Sequence, residues 1–311
     1  IRIARAASGK DNVAICGYHG WHDWYLSVNH NNSGEDLSEH LLPGLKPEGV
    51  PASLKNSVFP FTYNNYEELC KIVDDHKIGV IKMEVERNFK PENKFLKKVR
   101  DLASKKGIVL IFDECTSGFR ETYGGIFKKY NVQPDIAMFG KTLGNGYAIT
   151  AVVGKKNVME AAQKTFISST FWSERIGPTA ALKTLEIMKR EESWKKITFL
   201  GNYLRKGWEN ISIKNNVPIE ISGIPALSSF TFTHKDSLKF KTFLTQEFLK
   251  KGFLASTSFY ASTAHTESIL EDYLDIYDSV MSKIKKCIDG EDLIDNLLEG
   301  PVVHSGFKRL N

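Results

Sequence analysis

The chain has 311 residues, of which 41% are hydrophobic and 25% are charged, and its formal net charge is +5. This composition is typical of a globular protein with room for one large domain and a smaller one. The basic residues are spread along the sequence, and the largest group of lysines, within 97–106, is the expected solvated face of one helix, so nucleic-acid binding is not indicated.

Short apolar runs alternate with helical patterns through the first part of the chain. Residues 1–9 resemble the end of a helix, and helices are predicted over 66–76 and 94–106, the latter ending at Gly107. The alternation predicts an α/β layer architecture that binds ligands at the carboxyl ends of its strands. The predicted strands are short, rich in β-branched residues and typical of a parallel sheet buried on both faces: 13–16, 79–83, 108–112, 136–139 and 149–153.

The pattern changes after about Gly177. Two long helices are followed by alternating strands and two more helices, which predicts a small α+β C-terminal domain over 201–311 after a large domain over 1–200. The polar segment 29–39 is predicted to be a surface loop. The predicted helices of this part are 178–189, 194–208, 238–251 and 268–289, and the predicted strands are 219–224 and 227–233.

Cysteine usage and hydropathy give an expected location. The four cysteines form no CxxC pair, which is typical of reduced thiols in a cytosol rather than of disulfides or a zinc site. No apolar segment approaches the roughly 18 residues that cross a bilayer, and we expect no signal peptide and no membrane partner. The protein is therefore predicted to be cytoplasmic. The cysteines are Cys16, Cys70, Cys115 and Cys287.

Two strand ends carry complementary chemistry. Asp113 closes the run 108–112, and Lys141 follows the run 136–139, 28 positions later (141 − 113). A pyridoxal 5′-phosphate (PLP) site needs such a pair, because a lysine forms the imine with the aldehyde and an acid keeps the pyridine nitrogen protonated. Taken singly, each residue has an ordinary alternative, a turn cap for the aspartate and a surface position for the lysine.

Four motifs resemble those of one family. Together and in this order, they make the chain similar to the class III, fold-type I PLP-dependent aminotransferases, in the glutamate-1-semialdehyde 2,1-aminomutase-like subgroup. The resemblance implies a fold-type I transferase with a mostly parallel central sheet and a small α+β domain. It also implies a phosphate-binding Gly-Ser/Thr loop before Ile1, so we expect the N-terminal part of the family fold to be missing. The motifs are Gly17-Tyr-His-Gly-Trp-His-Asp23, Phe112-Asp-Glu-Cys-Thr-Ser-Gly-Phe-Arg120, Phe139-Gly-Lys-Thr-Leu-Gly-Asn-Gly146 and Phe171-Trp-Ser-Glu-Arg-Ile-Gly-Pro178.

The resemblance implies roles for the central pair and its glycines. Lys141 would form the imine and, once freed by substrate, would move a proton between the substrate carbon and C4′ of the cofactor. Asp113 would pair with the pyridinium nitrogen and raise its pKa. Gly140 and Gly144 would leave room for the ring and for the swing of the imine.

Residues around the ring are implied in the same way. Cys115 would pack against one ring face, and Tyr18 would stack on the other. His19 would support the cofactor loop. A metal cluster of His19, His22 and Asp23 is the alternative, but the surrounding residues suit a cofactor loop better, so no metal is expected.

More distant contacts complete the implied site. Glu84 ends a strand as in the family, without the proline that usually follows. Ser173, with Thr170 as the alternative, would reach the phosphate in the neighbouring subunit, unless these hydroxyls only cap the next helix. Arg120 and Arg175 are candidates for binding a substrate carboxylate, and the alternative for Arg120 is a structural role, which the resemblance favours.

The resemblance implies transfer of an amino group between a donor and a keto or aldehyde acceptor, in a homodimer with its active site at the interface. The alternatives are intramolecular transfer by an aminomutase and a catalytically impaired fragment, because the fold and cofactor site are common to all three. The departures at Val85, at Cys115 and in Phe171-Trp-Ser-Glu-Arg175 favour an aminotransferase, with a sugar or another cell-surface precursor as substrate. A PLP decarboxylase or racemase would use the same pair, and a non-enzymatic relic would form no imine at Lys141.

Overall fold

The computed structural model describes residues 1–30 and 47–304, which form two compact units. The first unit is Ile1–Glu191, and the second begins at Glu192, between two helices. The domain boundary predicted at 200/201 falls inside the first helix of the second unit. Residues 31–39 of the predicted surface loop lie outside the described residues.

The first unit is built on a six-stranded sheet. Its order is β2-β1-β3-β4-β5-β6, in which the first five strands run parallel and β6 pairs antiparallel with β5. The predicted mostly parallel sheet is therefore confirmed. β2 was missed because it has only three residues and includes Pro60, and β6 differs from prediction in being a largely exposed edge strand. The strands are β1 (Asn12–Cys16), β2 (Val58–Pro60), β3 (Ile78–Glu84), β4 (Val109–Glu114), β5 (Ile136–Phe139) and β6 (Ala151–Gly154).

Helices cover both faces of this sheet. Side chains alternate along each strand, so Val80 packs with α1 and α5 on one face, while Ile81 packs with α3 and α4 on the other. α4 ends at Gly107, whose φ of 64° gives the left-handed cap that the sequence predicts. The helices are α1 (Arg2–Ser8), α2 (Asp23–Leu26), α3 (Tyr66–Asp75), α4 (Phe95–Lys106), α5 (Lys156–Met159) and α6 (Ile176–Glu191).

The second unit has the predicted α+β composition. β7 (Ile219–Ser222), β8 (Leu227–Phe232) and β9 (Ser258–Tyr260) form an antiparallel sheet. Its core is largely aromatic, with Trp208 and Phe230 ring centroids 4.9 Å apart. No helix within 1–30 and 47–304 is long and apolar enough to cross a membrane. The helices of this unit are α7 (Ser193–Asn215), α8 (Ser237–Lys250), α9 (Glu267–Asp289) and α10 (Ile294–Leu297).

The sheet gathers the predicted site residues at one edge. β1, β3, β4 and β5 are parallel, so their carboxyl ends lie side by side. In the register, Glu84 at the end of β3 stands beside Asp113 near the end of β4. Lys141 follows β5, the next strand, after Gly140.

Candidate active site

Asp113 is the centre of a buried charge cluster. Its Oδ2 lies 3.1 Å from His19 Nδ1 and 3.0 Å from Lys82 Nζ. Its Oδ1 accepts a hydrogen bond of 3.2 Å from the Cys115 backbone N–H. His19 and Lys82 are both less than a tenth exposed, so these contacts are shielded from water. The strand end therefore carries a carboxylate that is fixed by three different donors.

The cluster keeps Asp113 ionised. Burial opposes its charge, but the hydrogen bond from His19 and the ammonium of Lys82 outweigh it and hold the pKa of Asp113 well below the ordinary range. Burial, with the Lys82 charge, lowers the pKa of His19, so its imidazole is neutral at pH 7. An ionised carboxylate only accepts, which assigns the Nδ1 proton to the bond with Asp113. His19 Nε2 is buried and has no hydrogen-bond partner in the described chain.

Lys141 differs from Asp113 in being exposed. It begins a short 3-10 turn after Gly140, and its φ is 44°, in the left-handed region that a side chain with a Cβ rarely adopts. Its Nζ donates a hydrogen bond to Thr116 Oγ1. Backbone strain of this kind is found preferentially at functional sites.

The glycines next to Lys141 are explained by protein contacts. A Cβ on Gly140 would lie 2.7 Å from Cys115 Sγ, and one on Gly144 would lie 2.1 Å from the Tyr147 carbonyl oxygen. Both glycines thus allow a close approach within the chain itself, in addition to the space for a ring that the family resemblance implies. Burial raises the pKa of Cys115, so its thiol is neutral.

Glu84 and Tyr18 are joined by the loop after β1. The buried Glu84 carboxylate accepts a hydrogen bond of 3.2 Å from the Tyr18 backbone N–H. The half-buried Tyr18 ring packs edge-on against Tyr25, with centroids 6.3 Å apart. The Glu84 contact therefore fixes the position of the loop that carries Tyr18 and His19.

The histidines of this loop are separated in their contacts. His19 bonds to Asp113, whereas the exposed ring of His22 stacks on Trp21, with centroids 5.6 Å apart. Within the residues that the structure describes, no group of three or more His, Cys, Asp or Glu side chains is arranged to hold a metal ion.

Ser173 and Thr170 lie on an exposed 3-10 turn that is remote in sequence from Asp113 and its partners. The cap of α6 is Glu174, whose Oε2 accepts a hydrogen bond of 3.1 Å from the Gly177 N–H and whose Oε1 accepts one from Ile176 N–H. The N-terminus of α6 is therefore capped by a carboxylate, and the alternative that Ser173 or Thr170 caps this helix is wrong.

The two candidate arginines differ in exposure. The guanidinium of the half-buried Arg120 donates to the Thr116 carbonyl oxygen at 3.4 Å, whereas Arg175 is exposed and lies directly before α6.

Sequence reasoning missed Lys82 and Thr116. Lys82 interrupts the apolar strand β3, and a charged residue within a strand buried on both faces is a signal that points to a partner. Thr116 gave no comparable signal, because its contact with Lys141 depends on how two loops meet.

The donor set around Asp113 fits a PLP ring. A carboxylate has about four acceptor positions, and the described chain fills two on Oδ2 and one on Oδ1. Oδ1 thus keeps acceptor capacity for one further N–H, such as that of a protonated pyridine. The exposed amine of Lys141 is accessible to an aldehyde.

Comparisons with known proteins point in the same direction. The family model for class-III aminotransferases matches residues 10–281. The 3-aminobutyryl-CoA aminotransferase of Cloacimonas acidaminovorans is 34% identical over 79% of this chain and 57% of that protein. The glutamate-1-semialdehyde 2,1-aminomutase of Natranaerobius thermophilus is 30% identical over 91% of this chain and 70% of that protein.

A solved structure shares the fold. The PLP internal aldimine form of the FumI protein of Sphingopyxis sp. MTA144 has a TM-score of 0.81 at 22% identity, over 95% of this chain and 70% of that one. This likeness confirms the predicted transferase architecture. The chain thus spans 57% to 70% of the length of these three proteins.

Proposed function

Because the chain belongs to the class-III aminotransferase family, as its motifs predicted, we propose that it transfers an amino group between a small amino donor and a keto or aldehyde acceptor with PLP. One observation carries this proposal. The buried, ionised Asp113 and the exposed Lys141 follow each other at the carboxyl ends of two neighbouring parallel strands. Each has the state that its role requires, a fixed negative charge and an accessible amine.

When bound, PLP supplies an electron sink for the negative charge that develops on the substrate carbon. Asp113 would hold a proton on the ring nitrogen, and its contacts with His19 and Lys82 keep the carboxylate ionised. Lys141 Nζ is the amine that would hold the cofactor through its aldehyde, and once free it would move a proton to and from the substrate carbon. Thr116 Oγ1 holds Nζ near the strand end.

The residues on either side of the ring position act by packing. Cys115 is neutral, so it presents a small apolar surface rather than a competing nucleophile. Tyr18 offers an aromatic face, and Glu84 holds its backbone in place. These residues would hold the ring between them.

The proposed assembly is a homodimer. The segment before and within the start of α6 exposes Phe166, Phe171, Trp172 and Ile176, each more than two thirds accessible, and apolar surface of this extent is typical of an interface. In that dimer Ser173, or Thr170, would contact the phosphate of the partner subunit's cofactor.

We assign the protein to the cytoplasm on its cysteines. All four are free, and Cys16 is fully buried. Reduced thiols of this kind are usual in a cytosol and unusual in oxidising compartments.

Aminotransfer between two molecules is the favoured reaction, and intramolecular transfer is the alternative. Relatives with both names are similar to this chain, and the departures at Val85, at Cys115 and over 171–175 favour the aminotransferase. The name of one relative adds 3-aminobutyryl-CoA, as an amino donor, to the candidate substrates to be screened beside sugar and other cell-surface precursors. If an amino donor supplied without an acceptor releases one equivalent of keto product per active site, the aminotransferase is supported. If no keto product is released but a single aminated substrate is converted to its isomer, the mutase is favoured.

The first test is peptide mapping after incubation with PLP and reduction with borohydride. We expect a pyridoxyl label on Lys141 in the wild type, and no label at that position after Lys141→Ala. Loss of proton transfer alone lowers the rate by about 10²–10⁴-fold. The matched control is Lys156→Ala, an exposed lysine of the same unit, which should keep label and rate. Absence of a label on Lys141 in the wild type would overturn the proposal.

A further inference from the structure

Lys82 is a buried charge beside a carboxylate that already has another side-chain donor. It lies in β3 between Ile81 and Met83, and only 3% of it is exposed. Its Nζ is 3.0 Å from Asp113 Oδ2 and 5.4 Å from the centroid of the Trp24 ring. His19 alone already donates to the same oxygen, so Asp113 has a partner without the lysine.

Burying this ammonium has a cost that an apolar residue would avoid. Removing a charge from water costs several kcal/mol, and a buried ion pair is often no more stabilising than apolar residues of the same size. The flanking residues of β3 form the apolar core on both faces, so a leucine or methionine at this position would match its surroundings. The contact therefore has a role that stability alone does not explain.

We infer that Lys82 is a positioning residue for the proposed cofactor, holding Asp113 by Oδ2 and lowering the basicity of the ring nitrogen. This inference rests on the proposed function. The Lys82 ammonium and His19 Nδ1 both lie within hydrogen-bond distance of Oδ2. The acceptor position that remains for a further N–H is therefore on Oδ1. Its positive charge also offsets part of the negative charge that Asp113 presents to a protonated ring. The ring nitrogen then gives up its proton at a lower pH than it would beside Asp113 and His19 alone.

Other ionisable groups also interact electrostatically with Asp113 or lie beside it. Burial raises the pKa of Glu114 to about 7. Burial also lowers the pKa of His19 and raises that of Cys115. Glu84 faces the cluster from the end of β3. These groups are present in the wild type and in every Lys82 variant. A difference in titration between wild type and variant therefore reports the effect of the Lys82 charge.

The first part of the test uses the protein without added cofactor. We expect Lys82→Met to raise the pKa of His19, measured by ¹⁵N NMR of the imidazole, because a repelling charge is removed. Lys82→Arg, which keeps the charge, should leave that pKa near the wild-type value. Lys155→Met is the matched control, since Lys155 pairs with Asp135 at 2.8 Å elsewhere on the sheet. An unchanged His19 pKa in Lys82→Met would overturn the electrostatic part of the inference.

The second part uses PLP labelled with ¹⁵N at the ring nitrogen. In Lys82→Met, the pH at which half of this nitrogen is protonated should rise by about one pH unit, and Lys82→Arg should restore the wild-type value. The same midpoint in both proteins would show that Lys82 is only structural. If Lys82→Met does not fold, as judged by circular dichroism, Lys82→Gln removes the same charge and takes its place.

The two proposals fail in different ways. Absence of a label on Lys141 in the wild type would defeat the proposed function and the cofactor part of the inference together. A labelled wild type with an unshifted ring nitrogen in the Lys82 variants would defeat the inference alone.

Discussion

The two units of this protein bury different kinds of side chain. In the first unit, charged residues lie within the core at the strand ends, among them Lys82, Glu84, Asp113 and Glu114. In the described part of the second unit, the buried polar side chains are serines and one threonine, and the core is aromatic and aliphatic. The two units thus differ in whether charged side chains are buried beside their strands.

The difference reflects what each unit has to do. A buried charge costs free energy unless it is paired, so it persists where a reaction or a ligand needs it. In the described core of the second unit, the buried hydroxyls of Ser212 and Ser228 donate to the backbone, the latter to the Pro225 carbonyl oxygen at 2.8 Å. We expect the first unit to respond to pH and the second to respond mainly to loss of apolar area.

Truncation of Trp208 should have the largest effect on stability. Its fully buried ring packs on Phe230, and its Nε1 donates to the Tyr273 hydroxyl at 3.1 Å. Trp208→Ala should lower the free energy of unfolding of the second unit by about 3–5 kcal/mol, measured by urea denaturation. Phe199→Ala, an exposed aromatic on the same helix, should change it by less than about 0.5 kcal/mol. Equal losses in the two variants would contradict an aromatic core centred on Trp208.

Glu114 should give the first unit a pH-dependent stability. Burial raises its pKa to about 7 even though Ser117 Oγ and the Phe127 N–H donate to it. A carboxyl with a raised folded-state pKa stabilises fully below its unfolded pKa and loses that contribution as pH rises through 7. Glu114→Gln should therefore match wild type near pH 4 and be more stable at pH 8 by about 3 kcal/mol.

The difference between variant and wild type isolates Glu114, because His19 titrates in both proteins. Urea denaturation at pH 4, 6 and 8 provides the measurement. Glu67→Gln, an exposed carboxyl on α3, should show no such pH-dependent difference. A constant difference for Glu114→Gln at all three values would contradict the raised pKa.

The smallest effect is expected at the start of α6. Glu174→Ala removes the carboxylate that accepts from the Gly177 N–H and should lower stability by about 1 kcal/mol, measured by thermal denaturation. Ser173→Ala should leave stability unchanged, because its exposed hydroxyl does not form the cap. Loss of stability in Ser173→Ala but not in Glu174→Ala would show that the Ser173 hydroxyl caps α6 and that Glu174 does not.

Local patterns predicted most of the elements in both units. Helix α9 begins beside the predicted residue 268 and ends at Asp289, because its apolar spacing is regular and Gly290 ends it with a φ of 80°. α7 runs on to Asn215, beyond the predicted end at 208, since packing continues along it and Asn216 provides the left-handed stop. β9 was missed because its three residues are too few to show alternation.

The sequence by itself determined the parallel sheet, its strand ends and the presence of Asp113 and Lys141 at adjacent ends. These follow from periodicity and chain order, since parallel neighbours must present their carboxyl ends at one edge. Only the tertiary structure decided that Lys82 and His19 share Asp113 Oδ2 and that Thr116 holds Lys141. Such contacts join residues far apart in the chain, and their distances depend on strand register and loop conformation, which no local pattern encodes.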